Sequence, residues 1–163
     1  VHVFDVSQTD GEDLPDIAQI TGDPGHLLAE LEDVVRGEGI ELCYEALPLG
    51  TKGVSKKGAI SVAEGLSHAE RFAVLAHELA HEWMHDEAQR KDTSKTVRET
   101  EAEAVAYAVC RAFNLDCSTR SSDYIQLYQG DSDVLGRSLA RIQVTVARMI
   151  DSLKKVKQEE AAA

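Results

Sequence analysis

The sequence predicts an α+β fold in which a small twisted, mostly antiparallel sheet packs on helices. Between residues 40 and 62, apolar and polar residues alternate in short segments, which indicates strands, whereas after residue 67 apolar residues recur at helical spacing. Aromatic residues make up only 5% of the chain, and Ala, Leu and Val are common, which favours helices that pack through small side chains. A chain of 163 residues fits one domain with a hydrophobic core.

Local patterns place the individual elements along the chain. Turn residues and helix caps separate them, and the turn Lys56-Lys57-Gly58 joins two of the strands in a hairpin, because Gly easily adopts a positive φ. Residues 86–94 are charged and lack apolar periodicity, so we expect a mobile connection there. The predicted elements are strands at 2–6, 40–47, 52–55 and 59–62, and helices at 25–36, from 68, from 94 or 96 to 113, at 124–129 and at 133–153.

The most informative pattern is His77-Glu78-Leu79-Ala80-His81, an H-E-x-x-H motif in the middle of a predicted helix. This helix begins with a capping box formed by Ser67 and Glu70. Two histidines four residues apart lie on one helical face, so both imidazoles can bind one Zn²⁺. Glu78 lies beside them and has the chemistry of a general base. The motif alone does not complete a metal site, because a hydrolytic zinc takes a third protein ligand.

The third ligand is expected on the following helix, which carries Glu99, Glu101 and Glu103. Glu99 and Glu103 are four residues apart and share a face with Ala102 and Ala106, small residues that let this helix approach the first one closely. We therefore predict Glu99 as the ligand. Glu103 would accept the second N–H of a metal-bound histidine and so fix its tautomer. Glu101 remains the rival for the third ligand, and a solvated acidic face is the alternative for all three glutamates.

The other histidines are not expected to bind the metal. His85 lies about 12 Å from His77 along a straight helix, too far to share one ion, and no Gly breaks the helix between them. We expect His85 at the edge of a cleft or in solvent. Three more histidines lie in or beside loops and are expected to be exposed: His2, His26 and His68.

Charge and composition exclude several classes of function. The formal net charge of −12 works against direct nucleic-acid binding by this segment, which would require clustered Lys and Arg. Lys52, Lys56 and Lys57 only flank the predicted hairpin and are expected to be solvated. The three cysteines lack the spacing of a zinc ribbon or a redox motif. The sequence has neither an apolar run long enough to span a membrane nor a secretory signal, so the protein is expected to be soluble and cytoplasmic.

Two segments, Leu-Ala-His-Glu-Leu-Ala-His at 75–81 and Glu-Thr-Glu-Ala-Glu-Ala-Val-Ala at 99–106, resemble the zincin-like metallopeptidases of the ImmA/IrrE and ArdC group. The resemblance is greatest to the C-terminal domain of ArdC-type antirestriction proteins and covers nearly the whole chain, from 3–9 through 122–124 to the final helix. It implies a zincin-like fold in which the H-E-x-x-H helix and a following Glu-bearing helix form the metal site. One Zn²⁺ would be held by His77, His81 and a glutamate that matches Glu99, with Glu78 as general base and Glu103 supporting a ligand.

The same resemblance implies a longer protein. ArdC-type proteins carry an N-terminal domain that binds single-stranded DNA, so we expect residues 1–155 to be a single metallopeptidase domain of such a protein. Residues 156–163 are expected to be a frayed tail.

Three functions are compatible with these residues. The first is a zinc metallopeptidase that acts on a specific intracellular protein, by resemblance a regulator associated with mobile DNA. Glu78 would transfer the proton of water to the leaving amine, and Tyr124, Tyr128 or Arg120 could stabilise the oxyanion, although tyrosines more often only pack. The second is an antirestriction or DNA-protection module in which zinc is structural. The third, an interaction domain that has lost its metal, ranks lowest because all ligand types are present.

Overall fold

The structure is a computed structural model and describes residues 20–116 and 132–160. Within these ranges the predicted α+β fold class is confirmed, with helices and a small sheet in the expected order. The predicted strand at 2–6 and the predicted short helix at 124–129 lie outside the described residues. The elements are α1 (Leu27–Gly37), β1 (Glu41–Glu45), β2 (Gly53–Ser55), β3 (Ala59–Ala63), α2 (His68–Met84), α3 (Glu87–Asp92), α4 (Lys95–Ala112) and α5 (Ser132–Glu160).

The three strands form a mixed sheet in the order β1-β3-β2. The predicted hairpin of β2 and β3 is confirmed as an antiparallel pair, and its turn has positive φ at Lys57 and Gly58. The prediction of a mostly antiparallel sheet is wrong, because β1 pairs with β3 in parallel, with Glu41 opposite Ala59. Successive strands do run in opposite directions, but β3 inserts between β1 and β2 and so meets a parallel neighbour. Period-two patterns specify which residues face the core and not which strands are neighbours.

The core lies between the sheet and the helices, with α2 in contact with both. Ile60 and Val62 point from β3 into this core and are fully buried, in alternation with partly exposed neighbours. Phe72 from α2 is also fully buried and meets the ring of Phe113 edge to face, with 6.4 Å between centroids. Each such side chain contributes about 1.5–3 kcal/mol by burial, so this packing holds α2 rigidly against the sheet.

Defined caps set the ends of the two long helices that carry the predicted metal site. The capping box before α2 is confirmed: the Ser67 hydroxyl accepts the backbone N–H of Glu70, and the Glu70 carboxylate accepts that of Ser67. Ser94 caps helix α4, and its side chain accepts the N–H of Val97 at 3.2 Å. Beyond the end of this helix Asn114 adopts φ 60°, the left-handed conformation typical of a helix terminus. These local signals fix the register of both helices.

The connection between α2 and α4, which the sequence predicts to be mobile, includes a short helix that its charge and missing apolar periodicity did not indicate. It contains α3, which is capped by Asp86 through a 2.8 Å hydrogen bond from the N–H of Gln89. No residue of α3 is buried, which is why apolar periodicity gave no sign of it. Arg90 donates from Nε to the carbonyl oxygen of His85 and ties α3 to the end of α2.

The last helix, α5, packs against α4 and α1 and continues to Glu160, beyond the end predicted near residue 153. Its buried side chains include Ile142, Met149 and Leu153, which belong to the predicted apolar stripe. None of the helices in the described ranges has the length and apolar content needed to cross a membrane.

Candidate metal centre

Three predicted ligands converge on one point where α2 faces α4. The Nε2 atoms of His77 and His81 are 3.1 Å apart, and each lies 3.5 Å from Oε2 of Glu99. Tetrahedral zinc, with bonds of about 2.0–2.2 Å to nitrogen and oxygen, requires ligand atoms roughly 3.3–3.5 Å apart. The spacing of the three donor atoms therefore fits a single zinc ion.

Small side chains allow α2 and α4 to come this close. Ala76 and Ala80 on α2 and Ala102 on α4 are fully buried, and Ala106 is nearly so. A larger residue at these positions would separate the two helices and move Glu99 away from the histidines. The helical spacing of the apolar residues in the sequence thus determines the geometry of the cluster.

Glu103 lies one turn after Glu99 and contacts the opposite side of the His77 ring. Its Oε2 is 3.4 Å from Nδ1 of His77, whose Nε2 faces the cluster. A carboxylate in this position holds the imidazole with Nε2 free to bind a metal. The role of Glu103 as the support of a metal-bound histidine stays a prediction.

Glu101, the rival for the third ligand, points to the other side of α4. Its side chain is completely buried, and Oε2 lies 2.9 Å from Nε2 of His85. Oε1 accepts hydrogen bonds from Ser138 and Arg141 of α5. The structure therefore does not bring Glu101 together with His77 and His81.

The expectation that His85 lies at a cleft edge or in solvent is wrong. His85 is 3% exposed, and its Nδ1 is 2.9 Å from Nδ1 of His81. Helix α2 ends at Met84, and His85 leaves it with φ −118° and ψ 63°, which places the ring behind His81 and against α4. The sequence locates His85 on the face of α2 that bears the ligands, but only the packing of α4 shows that this part of the face is covered. His26 and His68 are exposed, as predicted, and His2 lies outside the described residues.

Glu78 is buried beside the two histidines, under the edge strand β2. It is 7% exposed, and a Cβ atom at Gly53 would lie 2.6 Å from its Oε1, so only glycine allows the strand to pass so near. Burial raises the pKa of Glu78, and the charge of Glu99 adds to this effect, while His77 and a backbone hydrogen bond from Ser55 oppose it. A carboxylate with a raised pKa is better suited to accept a proton near neutral pH.

The charges of the cluster are strongly coupled. Burial lowers the pKa of His81 to about 4, with help from the charge of His77, so His81 is neutral near pH 7. Burial alone would lower the pKa of His77, but hydrogen bonds with Glu103 and Glu99 outweigh it and raise the value to about 9. The hydrogen bond with His77 lowers the pKa of Glu99 to about 2, against the effect of burial. The carboxylates of Glu99 and Glu103 therefore favour positive charge at His77, and a divalent cation at the cluster would benefit from the same negative field.

The cluster opens into a cleft of about 1250 Å³. β2 forms one wall, with residues 50–55, and α4 forms another, with Glu99, Glu103 and Tyr107. The side chain of Glu99 is 50% exposed, so the predicted ligands can be reached from solvent. Three residues considered for oxyanion stabilisation lie outside the described residues: Arg120, Tyr124 and Tyr128.

The sequence did not indicate two features of this region, the close approach of Gly53 to Glu78 and the pairing of His85 with Glu101. In the sequence, Gly53 is one glycine in a short predicted strand. A glycine inside a strand can indicate that other atoms approach its backbone closely, and this is the signal that could have identified it. The pairing of His85 with Glu101 could have been sought, because a buried histidine requires a partner, but neither spacing nor composition indicates that His85 is buried.

Comparison with known proteins agrees with this geometry. Residues 36–110 match the family model described as the IrrE N-terminal-like domain, peptidase family M78. The matched segment contains the H-E-x-x-H motif and all three glutamates of α4, and it supports a relationship to the ImmA/IrrE family and a zinc metallopeptidase-like role. No curated protein and no solved structure matches the chain. The greater resemblance to ArdC-type proteins is not tested by this match and remains a prediction.

Proposed function

We propose that this chain contains a zinc-dependent metallopeptidase domain that hydrolyses peptide bonds of a specific intracellular protein. The observation that carries the proposal is the convergence of His77, His81 and Glu99 at zinc-ligand spacing, beside the buried carboxylate of Glu78. The match to a peptidase family supports a protein as the substrate.

Each residue of the cluster has a separate task in this proposal. His77, His81 and Glu99 would hold one Zn²⁺, and Glu103 would keep the His77 ring in the orientation that binds it. A zinc ion in this position would supply Lewis acidity, which polarises a peptide carbonyl and makes water acidic enough to react near neutral pH. Glu78 accepts the proton of the attacking water and delivers it to the leaving amine, a role supported by its burial and raised pKa.

A substrate polypeptide could bind in extended form along β2. Among the described strands, β2 lies at the edge of the sheet and lines the cleft beside Glu78, so its outer edge could pair with a substrate strand. Such pairing would align the peptide backbone next to the predicted ligands. By resemblance to ArdC-type proteins, the substrate would be a regulator associated with mobile DNA, and an N-terminal domain would provide any DNA contact.

The accessibility of the cluster favours catalysis over a structural metal. Structural zinc sites usually have four protein ligands and are closed, whereas catalytic sites keep a position open for water or substrate. Within the described residues, the possible metal-binding group comprises His77, His81 and the half-exposed Glu99. This arrangement supports the peptidase over the DNA-protection module with a structural zinc.

The test is the substitution Glu78→Gln in the zinc-loaded protein. We expect the cleavage rate to fall by about 10²- to 10⁴-fold, because general-base catalysis is lost, while one zinc per chain remains bound. New N-termini released from a peptide library made from a proteome would be measured by mass spectrometry, and bound zinc by elemental analysis. Glu64→Gln, at an exposed position before α2, is the matched control and should cleave like the wild type. Equal cleavage by Glu78→Gln, or a zinc-loaded wild type that cleaves nothing, would contradict the proposal.

A further inference from the structure

We propose that His85 and Glu101 form a buried hydrogen-bonded relay that sets the tautomer and orientation of His81 for metal binding and anchors this ligand to α5. The inference rests on the proposed metal site and adds to it two positioning residues that lie outside the cleft.

The relay is a continuous chain of contacts behind His81. Nδ1 of His81 lies 2.9 Å from Nδ1 of His85, and Nε2 of His85 lies 2.9 Å from Oε2 of Glu101. The side chains of His85 and Glu101 are both 0% exposed, so water does not compete for these hydrogen bonds. The other oxygen of Glu101 accepts from Ser138 and Arg141, which belong to α5.

The carboxylate at the buried end determines the order of protons along the chain. Glu101 can only accept, so Nε2 of His85 must donate to it. When neutral His85 donates from Nε2, its Nδ1 carries no proton and can only accept, so Nδ1 of His81 donates the hydrogen bond between the two rings. Nε2 of His81 is then left with a free lone pair. This is the atom that lies 3.1 Å from Nε2 of His77 and 3.5 Å from Oε2 of Glu99.

The reverse order of protons is incompatible with metal binding. If His85 donated from Nδ1, then Nδ1 of His81 would have to accept, and the proton of His81 would move to Nε2, where it blocks the lone pair that a metal needs. Glu101 therefore selects the productive tautomer of His81 through His85. Glu103 does the same for His77 from the cleft side, so each histidine ligand has its own carboxylate-terminated support.

The contacts of Glu101 extend this support to a third helix. Ser138 is fully buried and Arg141 is 27% exposed, and both hold the carboxylate from α5 while His85 holds it from the end of α2. The relay thus connects α2, α4 and α5 at one point. Through Glu101 and His85, α5 helps to hold the ring of His81 in place, although α5 contributes none of the predicted ligands.

The experiment compares two substitutions of His85 in the full chain and reads zinc affinity and histidine tautomers. His85→Phe keeps the volume of the ring and removes both hydrogen bonds, whereas the side-chain oxygen of His85→Asn can still accept from His81. We expect His85→Phe to weaken zinc binding by about 10- to 100-fold, as is typical of lost outer partners of metal-bound histidines, and His85→Asn to recover part of this loss. Zinc affinity is measured by competition with a chelator, using the folded fraction only.

Two-bond ¹H–¹⁵N spectra of histidine-labelled protein provide a readout that a purely structural role would not move. In the metal-free wild type we expect the proton of His81 on Nδ1 and that of His85 on Nε2. In Glu101→Gln the amide can either donate or accept, so we expect His81 to show both tautomers and zinc affinity to fall. Glu101→Gln keeps the side-chain volume, so it tests the relay even if His85→Phe fails to fold.

Val35→Ala is the matched control, because it truncates a fully buried side chain of α1 away from the relay. It should lower stability without changing zinc affinity or the tautomer of His81. The relay is overturned if His85→Phe and Glu101→Gln bind zinc as tightly as the wild type, or if the proton of His81 is on Nε2 in the metal-free wild type. Failure of the underlying metal site would be seen differently, as a wild type that does not bind zinc through His77 and His81.

Discussion

Glu99 and Glu101 are separated by one residue on α4 and meet opposite environments. The side chain of Glu99 is 50% exposed and faces the cleft, while that of Glu101 is 0% exposed and faces α5 and the end of α2. Two residues along a helix correspond to a rotation of about 200°, so the two carboxylates leave the helix on nearly opposite sides. The same side chain is thus available for a metal on one face and fully engaged by hydrogen bonds on the other.

The histidines of α2 show the same contrast along the helix. His77 lies in the cleft between two exposed carboxylates, and His85 lies in the core beside one buried carboxylate. His81 is between them and contacts both neighbours. The three histidines therefore extend from the cleft to the core, and the predicted metal site lies at the end of this series that is nearer to solvent. The difference between a cleft face and a buried face can be tested by substituting one glutamate at a time.

The largest change in stability is expected from Glu101→Ala, on the buried face of α4. The free energy of unfolding of the metal-free protein should fall by about 3–5 kcal/mol, because the polar groups of His85 and Ser138 stay buried without Glu101 and Arg141 loses its ion pair with it. Urea denaturation measures this change. Glu99→Ala is the matched control on the cleft face and should cost less than about 1 kcal/mol. Equal losses from the two substitutions would remove the distinction between the faces.

Zinc affinity, in contrast to stability, should depend most on the cleft face. Glu99→Gln keeps the size of the side chain and removes its charge, so we expect zinc affinity to fall by more than about 100-fold, beyond the loss caused by an outer hydrogen-bond partner. The fold should be retained, as far-UV circular dichroism would show. Isothermal titration with zinc measures the change. Unaltered zinc binding by Glu99→Gln would exclude Glu99 as the third ligand.

The smallest change in stability is expected from Glu103→Gln in the metal-free protein, and its size depends on pH. The pKa of His77 is raised to about 9, so the contact with Glu103 stabilises the fold fully below the ordinary pKa near 6.5, and this stabilisation is lost as the pH rises through 9. Glu103→Gln should therefore lower the free energy of unfolding at pH 6, by less than about 1 kcal/mol because Glu103 is exposed, and should have no effect at pH 10.

The buried face should show the reverse dependence on pH. Burial alone would raise the pKa of Glu101, but hydrogen bonds from His85, Ser138 and Arg141 lower it, so its contribution is present above the ordinary value near 4.5 and is lost in acid. Denaturation curves of both glutamate variants across the pH range compare the two faces directly. A Glu103→Gln difference that grows above pH 9 would contradict the assignment of the raised pKa to His77.

Much of the cleft face could be predicted from local sequence. The capping box at Ser67 fixes where α2 begins, and the four-residue spacings of His77 with His81 and of Glu99 with Glu103 follow from the period of a helix. Small residues on the facing sides indicate that the two helices can pack closely. These are relations within one helix or between adjacent helices, so they are contained in the order of residues.

Contacts between distant segments could not be predicted in this way. The parallel pairing of β1 with β3 and the burial of His85 depend on where other segments lie, whereas α3 was missed because none of its residues is buried. Local patterns specify the face of an element that is apolar, but not the neighbour that will cover it.

The sequence by itself determined the α+β class, the helix that bears the H-E-x-x-H motif, and the face of α4 that carries Glu99 and Glu103. Only the tertiary structure decided that His85 and Glu101 lie behind His81, because their hydrogen bonds join the end of α2 to α4 and α5, which are far apart in the chain. Helical periodicity gives the direction of a side chain from its own axis. What that side chain meets depends on the packing of the whole domain.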